Sequence, residues 1–197
     1  SECEEAYADL VDSLQSLRIQ IQQESPFRIY LGRNACLSQD PDMDAELKKV
    51  PAEGYLLNIA GKEDEISVLL CASDSRGHYY AVQTFRQILS QHRIPFLRIF
   101  DFPGFTKERG YGEYFYGKPW SYDERMAALE FMTRVKMNYF MYSPKDDPYN
   151  RDRWREDYPQ EFVDRSKDLL EMCRKRCLIF SFAMNPGLSI KYSSDED

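Results

Sequence analysis

The sequence lacks several features that would place a protein in a common functional class. No apolar run approaches the roughly 20 residues that a membrane-spanning helix needs, so no membrane span is expected. It contains no GxGxxG, P-loop, GxSxG or HExxH motif, which removes the usual support for nucleotide-binding, serine-hydrolase and zinc-protease functions. Positive charge is in deficit, with 26 Lys and Arg against 33 Asp and Glu and a net charge of −7. That balance argues against nucleic acid as a partner and against adhesion to anionic membranes.

Histidine and cysteine are too few or wrongly spaced for a metal site or a full disulfide framework. The five cysteines are an odd number and form no CxxC pair. Cys173 and Cys177 lie four residues apart on a predicted helix, but the two histidines of the chain are far from that helix in sequence. Cys71 lies in an apolar run and is expected to be a small core residue. We therefore predict no metal site.

What is present is an ordinary globular composition. The 197 residues are 43% hydrophobic, 14% aromatic and 30% charged, which suits one large domain or two small ones with a buried core. The N-terminal stretch SECEEAYADL is acidic, whereas a signal peptide is basic and then apolar. The compartment therefore stays open at this level.

The first half of the chain has the pattern of a small α+β domain over residues 1–92. Apolar residues at three- and four-residue spacing predict an amphipathic helix over residues 4–23, with Tyr7, Leu10, Leu14, Leu17 and Ile21 on one face. Short β-branched or aromatic runs predict strands at residues 27–31, 55–59 and 66–71. A second helix follows, with Ala81, Val82, Phe85, Ile88 and Leu89 on one face.

Proline and glycine then mark a connector over residues 93–108, after which strands and helices alternate over residues 109–197. The predicted strands are residues 110–117, 138–142 and 178–184. Ser121 and Glu124 form a capping box at the start of one intervening helix, and Pro159 opens the other. Such a β-α-β-α-β series implies parallel strands with right-handed crossovers.

Two architectures satisfy that series: an open doubly wound sheet, or the opening of a TIM-type (β/α)8 barrel. A complete barrel needs about 250 residues, more than follow the connector. In the barrel interpretation the chain is an α/β protein in which a small α+β sheet domain precedes the first three βα units of a truncated barrel.

In parallel α/β folds, functional residues gather where the strands end at the carboxyl edge of the sheet. Three clusters follow the predicted strands, at residues 115–120, 143–149 and 185–187. Their tyrosine, tryptophan, lysine, aspartate and asparagine residues are typical of sugar sites, because aromatic rings pack on a pyranose while polar groups pair with its hydroxyls. The candidates from this rule include Tyr116, Trp120, Lys145, Asp146 and Asn185.

The same residues also have structural interpretations. Asp146-Asp147 resembles a catalytic dyad, but neighbouring residues on a strand point to opposite sides, so a structural or orienting role is favoured. Lys145 is also suited to a surface ion pair with Asp146, and the aromatic residues after the first strand are more often core than sugar platforms. The charge-dense segment 149–158 is expected to be a solvated loop.

At these strand ends the sequence resembles glycoside hydrolase family 84, which contains O-GlcNAcases and bacterial enzymes once called hyaluronidases. The resemblance rests on EYFYGKPWSYDER (113–125), KMNYFMYSPKDDPYNRDRWREDYP (136–159) and FAMNPGLSI (182–190), in the order and spacing of the family. Upstream, SDSRGHYYAVQTFRQIL (73–89) is similar to the α+β domain that precedes the barrel in families 84 and 20. The resemblance covers nearly the whole chain.

The resemblance implies removal of terminal β-linked N-acetylglucosamine with retained configuration and no cofactor. The substrate's own acetamido oxygen attacks the anomeric carbon, helped by two adjacent aspartates at the end of the fourth barrel strand. At about 30 residues per βα unit, that pair is expected beyond Asp197, so we expect no catalytic residue here and an inactive chain. Asp146-Asp147 match the second-strand motif instead, in which the lysine, here Lys145, contacts the sugar.

Two positions depart from the family pattern. Tyr114 stands where the family's GFYG motif has its first glycine, and tyrosine adds a large side chain and removes easy access to positive φ. Ser189 stands where an aspartate is common. The expected pocket has Lys145 on the sugar hydroxyls and the backbone near Tyr114 with the ring of Tyr116 as its floor. Its further lining is expected from Trp120, Asp146 and Asn185.

Two hypotheses from different classes follow. The first is a portion of a β-N-acetylglucosaminidase that binds a β-linked N-acetylglucosamine glycan. The second is a diverged, non-catalytic glycan-binding or scaffold protein that completes its half-barrel with another copy, because three strands leave exposed edges and an uncovered face. A third arrangement joins these strands to the N-terminal sheet in one open sheet. The compartment is open, since bacterial relatives are commonly exported and animal relatives are nucleocytoplasmic.

Overall fold

The computed structural model describes residues 3–62, 64–104, 106–185 and 190–195. Four residues discussed above, Pro186, Gly187, Ser189 and Asp197, lie outside the described residues. The chain divides into two compact units, Ser1–Lys107 and Glu108–Asp197, called the first and the second unit below. Together they give the mixed α/β fold that the sequence predicts. In the described part of the chain, no helix has both the length and the apolar character to cross a bilayer.

The first unit is built on a four-stranded mixed sheet. Its elements in chain order are α1 (Glu4–Ser16), β1 (Phe27–Leu31), α2 (Arg33–Leu37), α3 (Met43–Leu47), β2 (Tyr55–Lys62), β3 (Glu65–Ala72), α4 (Ser75–Leu89) and β4 (Leu97–Asp101). The strand order is β1-β3-β2-β4, with β1 parallel to β3 and the other pairs antiparallel. The strongly apolar β3 lies inside the sheet, where five consecutive residues are buried.

Helices cover this sheet on both faces. Helix α4 begins where the Asp74 side chain accepts a 2.7 Å hydrogen bond from the Gly77 amide, and it packs on β2 and β3. Helix α1 packs against α4, where Arg86 pairs with Asp9 at 2.8 Å. A second apolar cluster joins the short helices α2 and α3 to the other face of the strands, through Cys36, Met43, Leu47, Leu56, Leu69 and Cys71.

Several expectations for the first unit need correction. Helix α1 ends at Ser16 rather than near residue 23, because Arg18 adopts a left-handed backbone conformation with φ of 59°. Ile21 therefore lies outside the helix and is exposed, and Tyr7, in the first turn of α1, is exposed as well. The segment 93–108, expected to be a connector, contains the edge strand β4, which pairs with β2. Helices α2 and α3 were not expected, since five residues are too few to show a helical period.

The second unit contains the predicted β-α-β-α-β series. Its elements are β5 (Gly110–Glu113), α5 (Tyr122–Arg134), β6 (Tyr139–Tyr142), α6 (Gln160–Lys175) and β7 (Ile179–Phe182). The three strands are parallel in the order β5-β6-β7. The capping box at α5 is confirmed: the Ser121 amide donates to Glu124 at 2.6 Å, and the Glu124 amide donates to the Ser121 hydroxyl at 3.3 Å.

Helices α5 and α6 pack on the same face of this sheet. One buried cluster contains Leu129 and Met132 of α5, Phe140 and Tyr142 of β6, and Leu169 and Cys173 of α6. The opposite face carries Gly112, Tyr139, Met141, Ile179 and Ser181, of which Ile179 is 39% exposed. Within the described residues the strands form two separate sheets, so the third arrangement considered above, with one continuous open sheet, is wrong.

Candidate functional site

The three parallel strands end side by side, and backbone hydrogen bonds join the segments that follow them. The Ala183 amide donates to the Tyr142 carbonyl at 3.0 Å, which ties the end of β7 to that of β6. The Lys145 amide donates to the Phe115 carbonyl at 3.1 Å, which ties the segment after β6 to that after β5. The carboxyl edge is therefore one connected surface.

Side chains strengthen these connections at two of the predicted site residues. Exposed Asp146 accepts a 2.8 Å hydrogen bond at Oδ2 from the Gly117 amide, where φ of +103° suits glycine. The half-buried Asn185 donates its amide to Oδ1 of buried Asn150 at 3.2 Å. The structure thus brings Asp146 and Asn185 to the same edge as Lys145, whose side chain is half-buried.

A buried ion pair supports this edge from the helix-covered side. Fully buried Glu113, the last residue of β5, accepts hydrogen bonds from Nε and Nη2 of Arg125 at 2.7 and 2.9 Å. Glu113 also accepts the Trp120 amide at 2.9 Å. Burial alone would lower the pKa of Arg125, but its hydrogen bonds to Glu113 hold that pKa above the ordinary value. This bidentate pair fixes the start of α5 against the end of β5.

Asp147 is a second buried anion and organises the end of β6. Its Oδ2 accepts hydrogen bonds from the hydroxyls of Tyr142 and Tyr158, the latter at 2.9 Å, and its Oδ1 accepts the Tyr149 amide at 2.9 Å. Burial, together with the Asp147 carboxylate, raises the pKa of Tyr142 and of Tyr158 above their usual range. Both oxygens of Asp147 are occupied, which suits a structural role rather than proton transfer.

These groups form what we call the strand-end network: Glu113, Arg125, Tyr142, Asp147 and Tyr158. The Arg125 guanidinium connects its two halves, since it lies 4.7 Å from the centre of the Tyr142 ring. The segment 149–158 was expected to be a solvated loop, but its last residue is packed against the unit: the ring of Tyr158 stacks on that of Phe162, with 4.2 Å between the ring centres.

The predicted aromatic residues differ from one another. Half-buried Trp120 stacks on Tyr111 at 5.3 Å between ring centres, so it packs within the unit. Tyr116 is 73% exposed and Tyr114 is 59% exposed. The Tyr114 ring occupies the space where a side chain at Gly112 would begin, within 2.2 Å of that Cβ position. Because strand residues alternate between faces, this ring lies on the open face of the sheet.

Sequence reasoning missed Glu113 and Arg125. The available signal was a carboxylate in a predicted strand, since a buried Glu almost always has a cationic partner. The partner lies 12 residues away, at the first turn of α5, where charged residues are normally assigned to solvent. The separation of Glu113 and Arg125 in the sequence does not by itself indicate that the two residues form an ion pair.

A cavity of about 270 Å³ lies on the helix-covered side of the unit. Its walls include Tyr122, Arg125, Phe162, Arg165, Phe180 and Phe182. Lys145, Tyr114 and Tyr116 do not line it, so this cavity is distinct from the predicted sugar surface. Within the described ranges, no group of three or more His, Cys, Asp or Glu side chains is arranged to hold a metal ion.

Comparison with known families and proteins gives matches along the whole chain. A family profile described as beta-N-acetylglucosaminidase matches residues 109–197, and the profile of glycosyl hydrolase family 20, domain 2, matches residues 2–102. Protein O-GlcNAcase of Rattus norvegicus and that of Mus musculus are each 33% identical over 88 residues, 45% of this chain and 10% of the relative. The chain thus spans about a tenth of the length of these curated relatives.

Solved structures resemble the chain over a longer stretch. CpGH84B is 30% identical with a TM-score of 0.77, over 98% of this chain and 34% of that chain. CpGH84D is 22% identical with a TM-score of 0.71 over the same shares, which is a likeness of fold alone.

Proposed function

The chain belongs to the glycoside hydrolases of the family 84 type, with a family 20-type domain 2 in its first half, and from this premise we propose a function. We propose that the chain supplies the first three βα units of a (β/α)8 barrel that acts on β-linked N-acetylglucosamine. In this proposal the first unit is the α+β domain that precedes the barrel. The second unit supplies part of the sugar site but no catalytic acid or base.

The observation that carries the barrel assignment is the placement of both helices on one face of the parallel sheet. A doubly wound sheet has helices on both faces, whereas a barrel has them only outside. The open face, with Gly112, Met141 and Ser181 in one register row, corresponds to the barrel interior in this proposal. Sequential strand order β5-β6-β7 also suits a barrel.

The site assignment follows from the connected carboxyl edge. Lys145 is the cation at that edge whose backbone is tied to the neighbouring strand end, so its position is defined while its side chain keeps access to solvent. An ammonium group donates to sugar hydroxyls, and exposed Tyr116 offers a ring face for the pyranose. Asp147 is fully hydrogen-bonded and Asp146 is held by Gly117, so neither is assigned as general acid or base.

Two measurements on the 197-residue chain test this function. We expect no hydrolysis of 4-nitrophenyl β-N-acetylglucosaminide above the uncatalysed rate. We also expect saturable binding of N-acetylglucosamine by NMR titration, weakened about tenfold in Lys145→Ala, because a charged hydrogen bond to the sugar is lost. The matched control is Lys167→Ala, which removes only an exposed helical ion pair with Asp164. Turnover that persists in Lys145→Ala, or equal affinity in both variants, would contradict the site assignment.

A second function is favoured by the exposed part of the open face. Among the described residues, the outer edges of β5 and β7 have no further strand paired to them. These edges and the partly exposed Ile179 suit a non-catalytic glycan-binding or scaffold protein that pairs with another copy. Light scattering at micromolar concentration separates the two. A dimer that binds N-acetylglucosamine without turnover supports this second function, and a monomer argues against it.

A further inference from the structure

Two free thiols of the first unit meet in its buried core, outside the candidate sugar site. Cys36 on α2 and Cys71 on β3 are each 0% exposed and belong to one apolar cluster with Met43 and Leu47. Nothing in the proposed hydrolase function uses either sulfur. A single buried cysteine is explained as a small apolar side chain, whereas two cysteines in one cluster also allow chemistry between their sulfurs.

Backbone hydrogen bonds place α2 directly against β3 at this point. The Gly32 amide donates to the Leu70 carbonyl at 3.1 Å, and one helical turn later the Cys36 amide donates to the Gly32 carbonyl at 3.0 Å. Cys71 follows Leu70 and points to the α2 side of the sheet. Both sulfurs therefore lie in the same buried cluster, where the Cys36 thiol donates to the Tyr30 carbonyl oxygen at 3.5 Å.

The two sulfurs differ in character. Interaction with the neighbouring Cys36 lowers the pKa of Cys71 against the effect of burial, and His78 and Arg33 act in the same direction. The interaction with Cys71 and burial raise the pKa of Cys36. The His78 Nε2 accepts the Ala72 amide at 3.1 Å, which holds the imidazole beside the end of β3. Disulfides form when the thiolate of one cysteine attacks the sulfur of another, so a lowered pKa at one of two neighbouring cysteines favours the reaction.

We propose that Cys36 and Cys71 are a redox pair that forms a disulfide on reaction with a peroxide, cross-linking α2 to β3. The Cys71 thiolate attacks one oxygen of hydrogen peroxide, the O–O bond breaks, and a sulfenic acid and hydroxide result. The Cys36 sulfur then attacks the Cys71 sulfur, the S–S bond forms, and the S–O bond breaks as the Cys36 proton leaves in water. The cysteines lose two electrons in total, and the peroxide is reduced to one water and one hydroxide, which becomes the second water by taking up the proton released when the Cys71 thiolate formed.

The first unit contains a third cysteine, Cys3, so the proposal states which two of three cysteines form the disulfide. The Cys3 sulfur lies near the start of α2, 3.2 Å from the position that a Cβ on Gly32 would take. It is the competitor for either partner. Cys173 is the matched control, because it is equally buried, has its pKa raised by burial to about 12, and lies in the second unit.

The experiment treats the reduced 197-residue chain with hydrogen peroxide, alkylates the remaining thiols, digests with trypsin and identifies cross-links by mass spectrometry. The expected product joins peptide 34–48 to peptide 63–76, with a mass two hydrogen atoms below their sum and loss of the product on reduction. Cys173 is expected to remain alkylatable. A cross-link from peptide 1–18 in its place, or cysteine oxidation without any cross-link, would overturn the proposal.

Variants and a thermal scan keep the result interpretable. Cys3→Ala retains both proposed partners and should still form the cross-link, whereas Cys71→Ala should form none. Peroxide treatment should raise the unfolding midpoint of wild type and of Cys3→Ala by at least about 5 °C relative to the reduced chain, because the bond closes a long loop of the unfolded state. A cross-link that leaves both midpoints unchanged would refute the claim that it fixes α2 on β3.

Discussion

The two units bury their strands in different ways. In the first unit β3 has five consecutive buried residues, because helices cover both faces of the sheet. In the second unit β6 alternates between half-buried and buried residues, because helices cover one face. The second unit buries charges instead, with Glu113 and Asp147 at the strand ends. Apolar packing thus holds the first unit, while a polar network positions the candidate site in the second.

The largest effect is expected from breaking the buried ion pair. Arg125→Met leaves Glu113 without its cation in a site closed to water, which costs about 3–5 kcal/mol of unfolding free energy. Urea unfolding followed by tryptophan fluorescence measures this loss of unfolding free energy in the second unit, because both tryptophans, Trp120 and Trp154, lie there.

The matched control for that variant is Arg165→Met on α6. Arg165 pairs with Glu161 at 2.9 Å, but the two side chains are 56% and 75% exposed, so no measurable change is expected. Equal losses from both substitutions would mean that burial of the pair does not matter.

In the first unit the corresponding weak point is apolar. Leu70→Ala removes a fully buried side chain from β3 and leaves a cavity, at a cost of about 2–5 kcal/mol. Far-UV circular dichroism during urea unfolding should detect the loss. Leu17→Ala, at a partly exposed position after α1, is the control. Equal losses in Leu70→Ala and Leu17→Ala would mean that the burial of Leu70 does not stabilise the first unit.

A smaller effect is expected at Asp147. Asp147→Asn keeps one carbonyl acceptor but loses the charge that binds the Tyr142 and Tyr158 hydroxyls, which costs about 1.5–3 kcal/mol. Asp146→Asn should cost less, because its carboxylate is exposed and accepts the Gly117 amide. The tryptophan-detected transition compares the two variants. If Asp146→Asn proves the more damaging, the assignment of Asp147 as organiser is wrong.

Alkaline pH weakens the same network. The raised pKa values of Tyr142 and Tyr158 mean that above about pH 10 the unfolded chain loses protons that the folded chain keeps. The contribution of these tyrosines to the free energy of unfolding is therefore constant below about pH 10. Above that pH it falls, by at most about 1.4 kcal/mol per pH unit for each tyrosine. Tyr142→Phe should make the fall between pH 10 and 11 less steep in the tryptophan-detected transition. Tyr55→Phe in the first unit, where burial and Asp101 raise the pKa of Tyr55, should leave it unchanged.

The regular part of the fold was predictable from the sequence. Hydrophobic period and the Ser121–Glu124 capping box gave the parallel β-α-β-α-β series, because those signals are local. Strand β4 was missed because its edge position lies among prolines that suggest a linker. The end of α1 was missed because the left-handed conformation of Arg18 has no signature in periodicity.

The candidate site was predictable only at the level of strand ends. The rule that functional residues follow parallel strands predicts a site with Lys145, Asp146 and Asn185, and the structure places the three residues at one edge, where their role in binding stays a prediction. The pair Glu113–Arg125 was not predictable, because it joins two elements whose contact depends on the folded sheet. The position of the Tyr114 ring over Gly112 is likewise a property of the folded loop.

The smallest effect on stability, and the most informative one on binding, is expected from Tyr114→Gly. Tyr114 is exposed, so the unfolding free energy should change by less than about 1 kcal/mol. Its ring covers Gly112 on the open face, and removing the ring exposes backbone that a sugar is able to approach closely. We expect tighter binding of N-acetylglucosamine by NMR titration, with Tyr192→Gly, at a position 92% exposed, as the neutral control. Weaker binding would instead make Tyr114 a platform for the sugar, and the open face of the second unit would already be a finished binding surface.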